Sequence, residues 1–416
     1  MFIKRKLVQY VKDCSKKFSI LMLTGPRQAG KTTLLRYVEP NRRFVTLDDL
    51  ENRTLASENP TLFLERYPPP VLIDEFQYAP QLLPYLKIAV DAKRTRMIES
   101  AGDYWLTGSQ NFTMMEGVQE SLAGRVVILK LMGLDLAEIL RDETALNRPP
   151  FFERPRVNFE TDRGVEELFS MILQGDKPEL WKQGPNFGNT ADYYISYIQT
   201  CLERDVRSQL GVKELGLFEK FMRFLAARTA QLLNMTSLAS DVGVKTPTIR
   251  SWLTILERSF QITLLSPYYR NLTSRQVKTP KVYFLDTGLI THLLKWNDPK
   301  TALQGPMAGA LFENWVVSQI IKGYWHSGKD PSLFFWRTRE GEEIDLVEEA
   351  GDKLHVAEIK LTEGHPAGLF KSLEKPVQKR SKKALPLVLG SRKLISTSRK
   401  NLPLGDGIDL ISAWSL

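Results

Sequence analysis

The sequence predicts an α/β protein that begins with a parallel sheet of the doubly wound type and continues with a helical part and a second α/β part. Apolar segments in the first third alternate with stretches of helical periodicity, which is typical of parallel strands joined by crossover helices. These segments are residues 18–24, 44–49, 71–75, 104–107 and 126–131. Because 416 residues exceed what one core usually serves, we expect two or three domains. The patterns described below divide the chain into three, 1–145, 146–300 and 301–416.

The composition is that of an ordinary soluble globular protein, with 43% hydrophobic and 25% charged residues. No apolar run approaches the roughly 20 residues that span a bilayer, and the start of the chain mixes charged with apolar side chains. We therefore expect neither a membrane anchor nor a signal peptide. Cys14 and Cys201 are far apart, which argues against a disulfide framework or a zinc site and favours a reducing cytoplasm.

The first apolar segment runs directly into a glycine-rich loop that matches the phosphate-binding P-loop pattern in full. The residues expected to contact the nucleotide are Gly25, Pro26, Arg27, Gln28, Ala29, Gly30, Lys31, Thr32 and Thr33. The glycines let backbone N–H groups surround phosphates, Lys31 supplies catalytic positive charge to the β- and γ-phosphates, and Thr32 offers a hydroxyl to Mg²⁺. ATP and Mg²⁺ are therefore the expected ligands.

Two adjacent carboxylates end the third apolar segment. We expect Asp74 to hold Mg²⁺ through water and Glu75 to polarise the attacking water as a catalytic base. Acidic strand ends are common by themselves, but together with the P-loop this pair indicates hydrolysis of ATP. A small-molecule kinase is disfavoured because it does not need a base in this form.

Two further residues are candidates for sensing the nucleotide. Ser109 follows the segment 104–107 and is placed to contact the γ-phosphate and align water. Arg125 precedes the last segment, at a sheet edge, and is either an arginine finger or sensor or a surface arginine without a catalytic role. The sequence leaves open whether Arg125 would act in its own protomer or in a neighbouring subunit of a homo-oligomer.

These motifs resemble those of prokaryotic AAA-type ATPases, common in archaea and bacteria, that carry an uncharacterised nuclease-like carboxyl-terminal domain. The matching stretches are 25–34, 73–77 (IDEFQ), 106–110 (LTGSQ) and 121–125 (SLAGR). The resemblance implies a P-loop NTPase core of the AAA+ type and favours Arg125 as a functional arginine. One departure lies at 131–138, where the family more often has a Pro-Leu-Ser turn, although Glu138 is kept.

The middle part contains a helix-turn-helix pattern. Residues 238–244 read as a helix that ends in a glycine turn, and Thr246 with Pro247 signals the start of the next helix. A hairpin predicted over 262–285, with Lys281 among its basic residues, completes the pattern of a winged helix. Its expected DNA contacts are Lys245, Thr248, Arg250, Arg275 and Lys278. Such modules also bind proteins, so both kinds of partner remain open.

The last part places acidic residues and a lysine on a helix and two strands. Glu313 lies on the predicted helix, Asp345 on the strand 343–347, and Glu358 and Lys360 share one face of the strand 355–360. Carboxylates that bind Mg²⁺ beside a lysine that orients water make up a metal-dependent nuclease site.

This arrangement resembles the PD-(D/E)xK nuclease superfamily, which has a restriction-nuclease-like α/β fold. The resemblance implies Glu313, Asp345 and Glu358 as metal ligands, and Asp345, Glu358 and Lys360 as catalytic residues. A plain amphipathic hairpin is the alternative, because the motif is short and degenerate.

Basic residues are concentrated near the end of the chain. The formal charge is +9, and residues 370–400 carry ten Lys and Arg against one Glu. Such a segment favours a polyanionic partner such as DNA, or else forms a solvated charged face. The sequence thus predicts a DNA-associated ATPase. The alternative is a nucleotide-dependent DNA- or protein-binding switch with a silent nuclease-like domain.

Overall fold

The structure is a computed structural model that describes residues 2–108, 121–182, 190–202, 215–269, 279–338, 341–364, 388–405 and 407–416. The chain divides into two compact units. The first comprises Met1–Leu134, Arg258–Phe260 and Trp325–Lys329, and the second comprises Asp135–Glu257, Gln261–Tyr324 and Asp330–Leu416. The three-domain division remains a prediction. None of the helices in the described part of the chain combines the length and the apolar character of a membrane span.

The first unit is built on a five-stranded sheet. Its strands are β1 (Ile20–Thr24), β2 (Arg43–Thr46), β3 (Val71–Asp74), β4 (Tyr104–Gly108) and β5 (Val126–Lys130). They lie in the order β2-β3-β4-β1-β5, and every neighbouring pair is parallel. The predicted parallel sheet and the α/β class are therefore confirmed.

Helices cover this sheet on both faces. They are Val8–Ser15, Lys31–Val38, Leu50–Glu58, Pro60–Arg66 and Leu82–Thr95, with a short 3-10 helix at Phe76–Tyr78. Within β1, Ile20 and Met22 belong to one buried cluster, whereas Leu21 and Leu23 belong to another. Successive side chains of a strand point to opposite faces, so the sheet is buried on both sides, as a parallel sheet requires.

Most helices of the chain after residue 134 lie in the second unit. These helices are Leu136–Leu140, Glu143–Leu146, Val165–Gln174, Thr190–Tyr197, Leu215–Ala226, Met235–Val242, Thr246–Arg258, Thr287–Leu293, Pro299–Gln304 and Ala308–Trp325. Two antiparallel strands, β6 (Ile262–Leu265) and β7 (Lys281–Phe284), follow the predicted pair of helices. Arg275 and Lys278 lie outside the described residues.

The second unit also contains a six-stranded mixed sheet. Its strands are β8 (Leu333–Arg337), β9 (Glu343–Ala350), β10 (Lys353–Lys360), β11 (Val388–Ser396), β12 (Leu402–Gly405) and β13 (Ile408–Ser412). Their order is β12-β13-β11-β10-β9-β8. The pair β9–β10 is antiparallel, as predicted, whereas β11 pairs in parallel with both β10 and β13.

The stretch 131–138 that departs from the related family starts a helix through a capping box. The Asp135 carboxylate accepts a hydrogen bond from the backbone N–H of Glu138 at 3.0 Å, and the Glu138 carboxylate accepts one from the N–H of Asp135 at 3.1 Å. This reciprocal pair satisfies two N–H groups that a helix start leaves without helical partners. Glu138 therefore stabilises the start of the helix Leu136–Leu140.

Candidate functional site

The glycine-rich loop joins the carboxyl end of β1 to the helix Lys31–Val38, and its backbone requires glycine at two positions. Gly25 has a φ of 153°, and a Cβ there would overlap the carbonyl oxygen of Leu131. Gly30 has a φ of 87°, in the left-handed region, immediately before the helix. Glycine adopts such a conformation without steric cost. The loop therefore has the tight path that the motif predicts.

The loop residues Lys31 and Thr32 meet Asp74 of β3. Lys31 is only 8% exposed, and its Nζ donates to the carbonyl oxygens of Gly25 at 3.0 Å and Pro26 at 2.9 Å. The Thr32 hydroxyl donates to Asp74 Oδ1 at 2.6 Å. Residues 42 positions apart in the sequence are thus brought into direct contact.

Asp74 also has two threonine neighbours to which the sequence patterns assign no role. The Thr107 hydroxyl at the end of β4 donates to Asp74 Oδ1, and the Thr46 hydroxyl at the end of β2 lies 3.5 Å from Oδ2. Their positions follow from sheet order, because the carboxyl ends of adjacent parallel strands lie side by side. A buried carboxylate surrounded by hydroxyl oxygens is a donor set of the type that Mg²⁺ prefers, so these residues fit that ion.

Glu75 follows β3 directly and is held by Gln77. Its backbone is left-handed, with a φ of 54°, and its carboxylate accepts a hydrogen bond from Gln77 Nε2. The other side-chain atom of this amide, Oε1, is buried and has no hydrogen-bond partner within the described chain. It lies 2.6 Å from the point where a Cβ on Gly108 would be. Gln77 thus positions the Glu75 carboxylate.

Arg5 is a second residue of this region that no local motif identifies. Its guanidinium donates to the carbonyl oxygens of Ala29 at 2.8 Å, Met132 at 2.7 Å and Gly133 at 3.0 Å. The side chain is buried. Arg5 therefore ties the glycine-rich loop to the segment that follows β5. The contacts join parts of the chain that are 24 to 128 positions apart, so spacing gives no signal for them.

Arg125 forms a bidentate ion pair on the helix Leu82–Thr95. Its Nε lies 2.6 Å from Asp91 Oδ1, and its Nη2 lies 2.8 Å from Asp91 Oδ2. The hydrogen bond from Arg125 lowers the pKa of Asp91. A finger or sensor role would require this pair to break, and that role stays a prediction. Ser109, the other sensor candidate, lies outside the described residues.

The nuclease-like residues of the second unit lie together. Lys360 Nζ is 2.7 Å from Glu358 Oε1 and 3.7 Å from Asp345 Oδ2. The backbone N–H of Ile359 donates to Asp345 Oδ2 at 2.9 Å, which fixes β9 beside the end of β10. We call the group Glu313, Glu343, Asp345 and Glu358 the carboxylate cluster.

The hairpin residue Lys281 contacts Glu313 and other members of this cluster. The expectation that Lys281 belongs to the basic surface of the hairpin is therefore wrong. It does not extend a basic surface, because it is 4% exposed and points into the protein. Its Nζ lies 3.0 Å from Glu313 Oε1 and 3.7 Å from Asp345 Oδ1, and it also pairs with Glu343. The reason is its position at the first residue of β7, opposite the helix that carries Glu313.

Burial and charge both affect protonation in the carboxylate cluster. Burial lowers the pKa of Lys281, but Glu313, Asp345 and Glu343 raise it by more, so the ammonium stays charged. Burial and the neighbouring Asp345 raise the pKa values of Glu313 and Glu358. The oxygen donors are of the type that Mg²⁺ prefers, but an ammonium lies between Glu313 and Asp345. In this arrangement the cluster does not fit a metal ion.

The expected DNA contacts divide into surface and buried residues. Lys245 and Arg250 are exposed and Thr248 is half-buried, at the start of the helix Thr246–Arg258. Of the basic run 370–400, residues 370–387 lie outside the described chain. Lys393, on β11, is buried and donates to the carbonyl oxygen of Phe151 at 2.7 Å, so it cannot line a DNA groove. The last four residues of β11 are all buried, and Lys393 packs against the ring of Phe151.

Comparison with known proteins divides the chain into three matched parts. An "AAA domain" family matches residues 17–140, a "Domain of unknown function (DUF8612)" matches 165–300, and a "Domain of unknown function (DUF4143)" matches 308–416. The prediction of an AAA-type ATPase domain is therefore confirmed. The winged-helix and nuclease-like assignments stay predictions, because the families that match those residues have no stated function.

Individual similar proteins come from mycobacteria and an archaeon. Uncharacterised proteins of Mycobacterium tuberculosis and Mycobacterium bovis are each 32% identical over 346 residues, which is 82% of this chain and 70% of theirs. Among solved structures, a Walker-type ATPase of Pyrococcus abyssi aligns with 16% identity and a TM-score of 0.43. That alignment covers 70% of this chain and 96% of the archaeal one.

Proposed function

We propose that this chain, which belongs to the same family as the two mycobacterial proteins, binds ATP with Mg²⁺ at the glycine-rich loop and hydrolyses it. One observation carries the proposal: Lys31, Thr32 and Asp74 meet at the carboxyl ends of β1 and β3. Ligands of open α/β sheets bind at this edge. The AAA domain over residues 17–140 supports the same conclusion.

Lys31 is proposed to bind the β- and γ-phosphates. Its amine contacts two backbone carbonyl oxygens, which are neutral acceptors. Phosphate oxygens carry negative charge and carbonyl oxygens do not, so Coulomb attraction would draw the Lys31 ammonium toward a bound triphosphate. Thr32 and Asp74 would hold Mg²⁺, which neutralises charge on the transferred phosphoryl group.

Glu75 is proposed to accept the proton of the attacking water. Gln77 donates to this carboxylate, which restricts the directions in which Glu75 can present its oxygens. Correct orientation of a base contributes as much to rate as its basicity, because the proton must lie within hydrogen-bond reach. Gln77 is therefore a positioning residue for hydrolysis.

The test is ATP turnover by the full chain with Mg²⁺. We expect Glu75→Gln to lower kcat by about 10²- to 10⁴-fold, because it removes the base but keeps the shape of the side chain. The KM for ATP should change little, since Glu75 is not a proposed phosphate ligand. Lys16→Ala, at an exposed position, is the matched control. Equal kcat in wild type and Glu75→Gln would remove Glu75 from the mechanism.

We further propose that the winged-helix region contacts DNA. The support is the exposure of Lys245 and Arg250 at the start of the helix Thr246–Arg258, where side chains can reach a groove. The Lys245→Ala/Arg250→Ala variant should bind duplex DNA more weakly at low salt than the Lys16→Ala control. Unchanged affinity for DNA would contradict this proposal and favour a protein as the partner of the winged-helix region.

One observation favours the alternative, a nucleotide-dependent switch whose nuclease-like part cleaves nothing. Lys281 lies among the acidic residues that would hold a catalytic metal ion. Mg²⁺-dependent nicking of supercoiled DNA, lost in Asp345→Ala, supports active cleavage. DNA binding that responds to ATP without any nicking supports the switch.

A further inference from the structure

We propose that Lys281 is the resident cation of the carboxylate cluster and that it must leave before a divalent metal ion can bind there. This inference goes beyond ATP hydrolysis and does not depend on it. It makes the cluster a metal site that β7 keeps closed.

The surroundings of Lys281 are those of a bound cation. Carboxylates from the helix Ala308–Trp325 and from β9 surround the ammonium: Glu313 at 3.0 Å, Asp345 at 3.7 Å and Glu343 in direct contact. A lysine has three N–H donors, so three carboxylates can use all of them. Tyr283 adds a hydrogen bond to Glu313 at 2.6 Å, which fixes that carboxylate in place.

A metal ion and Lys281 cannot share this position. An ion held by both Glu313 and Asp345 would lie between their oxygens, where Nζ already lies. Among the described residues, Glu313, Asp345 and Glu358 do not form a group with one oxygen each within 4.8 Å. Mg²⁺ binds oxygens at about 2.1 Å, so its ligands must come closer together than the ammonium holds them.

One carboxylate oxygen points to a missing cation. Glu358 is 6% exposed, and its Oε2 is buried without a hydrogen-bond partner in the described part of the structure. Lys360 contacts the other oxygen, Oε1. A buried oxygen without a partner carries a desolvation cost. Coordination of a metal ion beside Asp345 would remove that cost, whereas Lys281 does not reach Glu358 among its ion pairs.

The backbone of Lys281 is fixed by the strands around it. Lys281 pairs with Leu265 of β6, and the preceding Pro280 carbonyl accepts a hydrogen bond from Leu233 N–H at 2.8 Å. A side chain that is 4% exposed also has no open direction in which to swing. Release of the ammonium therefore requires β7 to move. Whatever shifts the β6–β7 pair would open the site to metal.

The test is Mn²⁺ binding to the full chain without nucleotide. The electron paramagnetic resonance signal of free Mn²⁺ measures how much of the ion remains unbound. Mn²⁺ substitutes for Mg²⁺ at oxygen sites. The variants are Lys281→Gln, Lys281→Arg, Asp345→Asn and the double variant Lys281→Gln/Asp345→Asn. We expect Lys281→Gln to gain one site that binds Mn²⁺ on the order of 10- to 100-fold more tightly than wild type. Lys281→Arg, which keeps the charge, should behave as wild type, and the double variant should lose the gain.

Two results would overturn the proposal. One is tight Mn²⁺ binding by wild type that Asp345→Asn abolishes, because the ammonium would then not exclude the ion. The other is a folded Lys281→Gln protein that gains no Asp345-dependent site. If Lys281→Gln is unfolded without metal, Mn²⁺ should restore its helical circular dichroism but not that of the double variant. Failure of Mn²⁺ to restore the fold of Lys281→Gln counts against the proposal. ATP turnover is measured separately, because the proposal does not depend on ATP hydrolysis.

Discussion

Lys31 and Lys281 are both buried lysines at candidate sites, but Lys281 pairs with three carboxylates whereas Lys31 donates to two carbonyl oxygens. Lys31 donates to the carbonyl oxygens of Gly25 and Pro26, which are neutral. Lys281 pairs with Glu313, Glu343 and Asp345, which are acidic. A phosphate can compete with carbonyl oxygens for an ammonium, whereas three carboxylates already neutralise Lys281. The partners of a lysine, rather than its motif, therefore decide which ligand it can take.

The largest expected effect is on Lys31. Lys31→Ala removes the charge that stabilises the transferred phosphoryl group, so ATP turnover should fall by about 10²-fold or more. The measurement is steady-state phosphate release with Mg²⁺, with Lys16→Ala as the control. If Lys31→Ala hydrolysed ATP at the wild-type rate, Lys31 would have no role in ATP hydrolysis. The difference between the partners of the two lysines would then have no functional consequence.

The next largest effect is on the stability of the second unit. Lys281→Met leaves the buried Asp345 and the partly buried Glu313 and Glu343 without the ammonium, which should cost about 3 kcal/mol of the free energy of unfolding. Lys360 also pairs with the cluster, but it is 42% exposed. Lys360→Met should therefore cost about 1 kcal/mol or less. Urea unfolding of both variants measures the difference, and equal costs would contradict the view that Lys281 is the central cation.

A smaller effect is expected from Gln77. Gln77→Ala removes the hydrogen bond that positions Glu75, so kcat should fall by about 10-fold while the KM for ATP is retained. Gln81→Ala, an exposed position at the start of the helix Leu82–Thr95, is the matched control. A rise in KM with unchanged kcat would show that Gln77 acts in binding instead.

A change in the pH dependence of stability is expected for Lys393, a third buried lysine. Burial lowers the pKa of Lys393 to about 8, from an ordinary value of 10.5. Between these two pH values the unfolded chain holds a proton that the folded chain has released, so stability rises with pH. Wild type should therefore gain stability relative to Lys393→Met from about pH 8 to about pH 10.5, as urea unfolding at several pH values would measure.

The exposed Lys353→Met is the control for this pH dependence. Its stability should run parallel to that of wild type through the same range. If Lys393→Met also ran parallel to wild type, the pKa of Lys393 would not be lowered. The pKa of Lys281 is raised by its carboxylates. The expected opposite shifts in the pKa values of Lys393 and Lys281 would then be contradicted.

The contact between the glycine-rich loop and Asp74 could be predicted because each of the two has a local sequence pattern. Residues 25–33 are consecutive, and Asp74 ends a buried strand, so strand order alone brings them together. The capping box at Asp135 and Glu138 also has a local pattern, an acidic residue followed three positions later by Glu. This pattern is visible in the sequence and is sufficient to predict the start of the helix.

Contacts between distant parts of the chain could not be predicted. Arg5 reaches Met132 and Gly133, and Lys281 reaches Glu313 and Asp345, through tertiary packing that no periodicity encodes. Lys281 also shows why a count of charges is a poor guide: a basic residue of a hairpin is expected at the surface, but all four residues of β7 are buried.

Binding of ATP at the glycine-rich loop is tested by calorimetric titration of the full chain with ATP, in Mg²⁺ and in EDTA. Wild type should bind ATP with Mg²⁺, Lys31→Ala should bind at least about 10-fold more weakly, and Asp74→Asn should no longer respond to Mg²⁺. Absence of ATP binding by wild type, or equal affinity in wild type and Lys31→Ala, would contradict the proposed nucleotide site.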